Sequence, residues 1–148
     1  FAISCIFNSA WILVWTHEKY LTAQALITGL LVTLIGIYLK LDVRYGELNT
    51  KPLLATIVVN MTFSMYMAWL SVANIANISV TIARFIQPNR TEQTEIQLLG
   101  IKDKQWSLIM QGVAVVLATI VVLTRNDFVF PMVVAWALFG IFMKNKNN

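Results

Sequence analysis

Charge is scarce in this sequence, and where it is missing excludes more than how little there is. Charged residues fill 12% of the 148 positions, about half the roughly 25% usual in soluble domains. All 18 Asp, Glu, Lys and Arg fall into five short clusters, at 18–19, 40–51, 84–104, 125–127 and 144–146. The stretches between them, 1–17, 20–39, 52–83, 105–124 and 128–143, carry none. A soluble helical bundle needs charges every three or four residues on its wet faces, and no such face exists here. A charge at mid-bilayer costs about 2.5–3.5 kcal/mol, so a membrane-spanning segment excludes it. Cysteine is nearly absent as well, and Cys5 alone excludes an internal disulfide. Histidine is represented only by His17, at the edge of the first stretch, with no Cys or carboxylate at metal-ligand spacing. No Gly-rich phosphate loop occurs, and no Ser or Cys nucleophile has a base to pair with. The expectation is therefore a protein that is not an enzyme. The net charge of +4 is spread over loops without interleaved aromatics, which gives no reason to expect nucleic acid as a partner.

What remains is apolar: 58% hydrophobic residues and a mean hydropathy of +0.70. The fold class this predicts is all-α, a polytopic transmembrane helix bundle with five apolar segments, A to E, and the lipid bilayer as its first partner. Segment B, Tyr20–Leu39, and segment D, Gln105–Thr124, are each about 30 Å long as helices, the thickness of the hydrocarbon core. Segment E, Phe128–Met143, is short, with Lys144 and Lys146 placed to snorkel. Segment C, 52–83, would be about 48 Å long if straight, and must tilt, break or protrude. Segment A opens on Phe inside an apolar run, so residues are expected upstream of it. Trp15, Tyr20, Tyr38 and Trp106 stand at segment ends, as interfacial belts or as ordinary packing.

The connections are unequal. Thr16–Lys19 makes A and B a tight hairpin, and Arg125-Asn126-Asp127 does the same for D and E, with Asp127 placed to cap E and Pro131 in its first turn. The B–C loop holds Gly46, Asn49 and Pro52, and 91–100 is expected to form a short surface helix ending at Gly100. The expected division is 1–83, a connecting loop at 84–104, and a C-terminal hairpin with tail at 105–148. Seven Lys or Arg lie on the side of the A–B turn, the C–D loop and the tail, against four on the other. The positive-inside rule then puts the C-terminus on the cytoplasmic, stromal or matrix side, leaving the Asn89-Arg90-Thr91 sequon unused.

Uncharged polar and aromatic residues within the segments are the candidate functional groups. Ser4, Asn8, Trp11 and Trp15 share a face of A, and Tyr66, Trp69, Ala73 and Asn77 a face of C. Asn60, Ser64, Ser71 and Asn74 lie about 100° around C from that stripe. A buried amide in hydrocarbon needs a partner, so the asparagines should face helices or a cavity. Two readings stay open. Small and polar residues on one face are how membrane helices associate, and Ala68, Ala73, Ala76, Gly29 and Gly36 fit that role. Alternatively, indole and phenol rings with a few amides wall a pocket for a flat, mostly apolar ligand. His17 likewise reads either as an axial ligand to a haem or chlorophyll or as an interfacial polar residue, and the second is preferred.

The run Tyr66-Met-Ala-Trp69-Leu-Ser71-Val-Ala73-Asn-Ile-Ala-Asn77 resembles the fifth-helix signature of the TspO/MBR family, the tryptophan-rich sensory and translocator proteins. Asn8-Ser-Ala-Trp11 resembles the third-helix Asn-x-x-Trp of that family. Met65 stands where the signature has proline. The resemblance covers residues 1–83 and implies a TspO-like core with two extra helices, D and E, following it. It further implies a ligand site including Asn8, Trp11, Tyr66, Trp69, Ala73 and Asn77, with the rings as walls and the amides on polar substituents. The ligand it implies is a porphyrin, haem, chlorophyll or sterol, with no cofactor required and no axial histidine demanded. A homodimer is the implied assembly.

Two functions are therefore expected. One is a sensor, carrier or scavenger of a hydrophobic small molecule. The other is an accessory structural subunit of a larger photosynthetic or respiratory membrane complex. A transporter would need an intramembrane charge or detectable repeats, and neither is present.

Overall fold

The computed structural model describes residues 2–41, 53–86 and 103–146. They form five helices: α1 (Ala2–Thr16), α2 (Tyr20–Lys40), α3 (Leu53–Ile86), α4 (Asp103–Arg125) and α5 (Val129–Lys146). Each coincides with one charge-free stretch, extended by up to three residues into the flanking charges. The expected features at 42–52, the sequon and the surface helix at 91–100 lie outside the described residues.

The helical state is dictated by solvent rather than by intrinsic propensity. Residues 113–122 of α4 include Val113, Val115, Val116, Ile120, Val121 and Val122, β-branched residues that lower helix propensity in water. In hydrocarbon, backbone N–H and C=O groups must be paired, which a helix achieves within one segment. Hydroxyls obey the same constraint. Thr62, Ser71, Thr119 and Thr124 each donate to the carbonyl four residues back, at 2.7–2.9 Å, so that exposed Thr62, Thr119 and Thr124 present no unpaired O–H to lipid. Outward-facing positions are large and apolar: Leu21, Val32, Phe85, Leu108, Leu123 and Met132 are all more than 60% exposed. Helices α2, α3 and α4 are long and apolar enough to cross a membrane, and α1 and α5 are shorter apolar helices. The chain is an integral membrane protein.

Helix α3 is the hub: α2 packs on one side of it and α5 and α4 on the other, while α1 packs on α2. One core joins Ile27, Leu30 and Leu34 of α2 to Leu70 of α3, with Phe7 and Trp11 of α1 against it. A second joins Tyr38 of α2, Met67 and Ala68 of α3, Ala114 and Ala118 of α4, and Phe130 and Val134 of α5. A Cβ at Gly29 would stand in ordinary contact with the Phe7 ring, at 3.7 Å, whereas a Cβ at Gly36 would meet nothing among the described residues.

Both tight turns use the left-handed backbone region without glycine. In the α1–α2 turn, Glu18 has φ 57°, its N–H bonds Trp15 O at 3.0 Å, and the Lys19 N–H bonds Val14 O at 3.3 Å. This pair of bonds is the Schellman closure of a helix. In the α4–α5 turn, Asn126 has φ 50° and donates to Val122 O at 2.9 Å, a position asparagine tolerates.

Asp127 then starts α5. Its Oδ1 accepts from the Val129 N–H at 2.9 Å and the Phe130 N–H at 3.3 Å, as an N-cap does. Its Oδ2 accepts from Tyr38 Oη of α2 at 2.7 Å and Ser64 Oγ of α3 at 2.5 Å. The residue is fully buried. Because Ser64 meets the start of α5 and Tyr38 lies two residues from the end of α2, the first 11 residues of α3 extend about 16 Å past that level. The long segment therefore neither breaks nor stops; it runs as one 34-residue helix and protrudes beyond its neighbours.

Two stability outcomes are expected. Asp127→Ala removes the cap, worth about 1 kcal/mol, and takes the acceptor from the buried Ser64 hydroxyl, at about 1–3 kcal/mol. Thermal unfolding in detergent should show a loss of about 2–4 kcal/mol, and Asp127→Asn, which still caps, should lose less. Glu18→Gly relieves the left-handed backbone and should stabilise by about 1 kcal/mol in the same assay.

Candidate functional site

The candidate residues divide between two faces of α3. At about 100° per residue, Tyr66, Ala73 and Asn77 lie within roughly 40° of one another, while Trp69 lies roughly 40–80° away from each of them. The structure follows this offset. Tyr66 and Ala73 pack, with Trp11, on the Ile27–Leu30–Leu34–Leu70 core. Asn77 is buried, one turn beyond Ala73, and Asn8 is half-buried on α1. Trp69 instead turns toward α5 and is 56% exposed.

On the α1–α2 side the aromatic residues form a continuous series. The Trp11 and Trp15 rings are 6.4 Å apart and tilted, Trp15 meets Tyr20 edge-on at 5.4 Å, and the Arg84 guanidinium sits 5.3 Å from the Tyr20 ring centre. The helix-end aromatics are thus packed against one another, with a cation–π contact closing the series on α3. His17, exposed at the end of α1, places Nδ1 2.7 Å from Leu13 O. Among the described residues no three His, Cys, Asp or Glu side chains come together.

Beneath that series lies an amide cluster. Gln24 Nε2 donates to Asn74 Oδ1 at 2.6 Å and to Thr28 Oγ1 at 2.9 Å, and Thr28 Oγ1 donates to Asn74 Oδ1 at 3.3 Å. Asn74 therefore meets the need for a partner in hydrocarbon by bridging to α2. Asn77 Nδ2, Gln24 Oε1 and Trp11 Nε1 are buried without a hydrogen-bond partner among the described residues. An unpaired buried polar group costs about 1–3 kcal/mol.

On the other face, α3 and α5 run in parallel and leave a lipid-facing groove of about 600 Å³ between them, lined by Met61, Met65, Trp69, Val129, Met132, Val133 and Trp136. Spacings of four carry the lining on both sides: Met61, Met65 and Trp69 on α3, Met132 and Trp136 on α5. The two indoles are 56% and 73% exposed, and the methionines supply flexible, polarisable walls. Met65, at the position where the resembled signature has proline, is a lining residue here.

Gln24 and Trp136 are the groups that pattern reading passed over. Gln24 had a signal, as the one amide in segment B. Trp136 had only its four-residue step from Met132.

The family model described as "TSPO-like protein" matches residues 1–148, and so spans all five helices, α4 and α5 included. No curated protein and no solved structure matches the chain.

The amide cluster yields a paired expectation. Asn74→Leu should destabilise by about 1 kcal/mol, since it removes the acceptor that Gln24 and Thr28 share and leaves them only the bond to each other. Asn77→Leu removes a donor that has no partner among the described residues and should leave the unfolding midpoint unchanged or raised.

Proposed function

As the chain belongs to the TSPO-like protein family, we propose that it binds a flat, mostly apolar ligand of the tetrapyrrole or sterol-like class, drawn from the membrane into the α3–α5 groove. The observation that carries this reading is the pairing of Trp69 and Trp136 across one apolar groove of about 600 Å³. That volume lies within the roughly 300–1,000 Å³ of small-molecule sites. Indole faces give a ring system stacking surface of about 0.5–1.5 kcal/mol per aromatic contact beyond area burial. The methionines adapt to its outline. Trp11, Tyr66 and Ala73 pack behind α3 on the Ile27–Leu30–Leu34–Leu70 core, holding the α1–α2 hairpin against it. With seven basic residues against four, the C-terminus is read as cytoplasmic, stromal or matrix-facing.

The outer row of α5 gives the second reading its support. Phe128, Met132, Trp136 and Phe139 are all more than half exposed, a surface on which an accessory subunit could pack within a larger membrane complex.

Titrating protoporphyrin IX into the purified protein and reading tryptophan fluorescence tests the first reading. Trp69→Phe and Trp136→Phe together should weaken binding about tenfold or more, and Trp11→Phe should leave the affinity unchanged. Equal affinity in the groove variants sinks the proposal. Migration within a large complex after mild extraction from native membranes would put the second reading first.

A further inference from the structure

A second crevice, on another face of the molecule, has a different chemical character. It lies between α3, α4 and α5, encloses about 290 Å³, and its lining includes Ala76, Ser79, Trp106, Ser107, Gln111 and Ala114. Its polar residues sit at one end. Ser79 lies two turns before the end of α3, Trp106 and Ser107 lie in the first turns of α4 and Gln111 one turn deeper, so the polar side chains line the part of the crevice toward that membrane edge. Toward the membrane interior the walls are Val72, Ala114 and Leu138.

Among the described residues the polar end is lined by uncharged side chains, several of them donors. Gln111 Nε2 donates to Ser107 Oγ at 3.0 Å, which leaves the Ser107 O–H available. Ser79 Oγ donates to Ile75 O at 3.1 Å, which leaves its own oxygen to accept. The Trp106 Nε1–H is buried with no acceptor among the described residues. A ligand held here presents one or two neutral oxygens at the membrane edge.

The shape of the crevice selects the tail attached to that headgroup. From Trp106 to Ala114, and from Ser79 to Val72, the crevice runs about 10–12 Å. A crevice that runs along the helices in this way, with polar side chains toward its edge and apolar ones below, suits one extended hydrocarbon chain.

We propose that this crevice is a binding site for a neutral single-chain amphiphile of the monoacylglycerol or long-chain alcohol class. Its oxygens bond Ser107, Gln111 and Ser79 at the edge, and its chain lies against Ala76, Ala114 and Leu138. The site is independent of the α3–α5 groove, so either can fail without the other.

The test uses the full chain in phosphatidylcholine nanodiscs containing increasing mole fractions of dibrominated monostearoylglycerol, whose bromines quench nearby indoles. Trp106 quenching should saturate at a low mole fraction. Ala76→Phe, at an exposed lining position, should abolish saturation by filling the crevice. Ser107→Ala with Gln111→Leu should raise the half-saturating fraction at least threefold, and provides a second variant should the first fail to fold. Quenching that rises linearly in the unaltered protein overturns the proposal, because bulk lipid contact then accounts for it. Equal saturation by dibrominated phosphatidylcholine overturns the neutral headgroup.

Discussion

A single carboxylate fixes the relative heights of three helices. Asp127 accepts two backbone N–H groups from the first turn of α5 on one oxygen, and the hydroxyls of Tyr38 and Ser64 on the other. In a low-dielectric surrounding each of these bonds is stronger than in water, and the loss of any partner is correspondingly costly. Only Asn126 separates Asp127 from the last residue of α4, so the end of that helix is placed by the same group. Where bilayer helices otherwise slide past one another on smooth apolar faces, four directional bonds to one buried residue give a defined register.

From this anchor the bundle separates into two halves that share α3. The half toward α1 and α2 is held by directional polar contacts: Gln24 with Asn74, Thr28 with Asn74, and Arg84 over Tyr20. The half toward α4 and α5 is held by the Asp127 bonds at one end and by small-residue packing through Ala68, Ala114 and Ala118 around Phe130. That half also contains the larger groove and the amphiphile-sized crevice.

Much of the secondary structure was legible in the sequence because the bilayer leaves few alternatives. A stretch without charge must bond its own backbone, so α2 begins at Tyr20 and ends at Lys40, within one residue of the run read from charge alone. The cap at Asp127 was legible too, since an acidic residue next to a short polar turn has a local role. Its long-range role was not. Nothing in the periodicity of α2 or α3 says that Tyr38 and Ser64 meet the same oxygen, because pairing across 89 and 63 residues depends on how the helices are arranged. The candidate site shows the same limit. Steps of three and four gather Tyr66, Ala73 and Asn77 correctly, but a stripe that wide has two edges, and only packing reveals that Trp69 belongs to the α5 side.

The overhang of α3 matters for the membrane itself. Its apolar stretch, Ile57–Ile86, spans 30 residues, about 45 Å, against a hydrocarbon thickness of about 30 Å. Tilt alone would have to approach about 50°, beyond the roughly 0–40° seen for spanning helices. A helix longer than the bilayer is thick is accommodated by tilting, kinking or local thickening of the bilayer, and exposed Ile57, Val58 and Met61 lie on the overhanging part. The cost of such a mismatch is lower in a thicker bilayer. Membrane thickness thus becomes a force acting on where the protein resides.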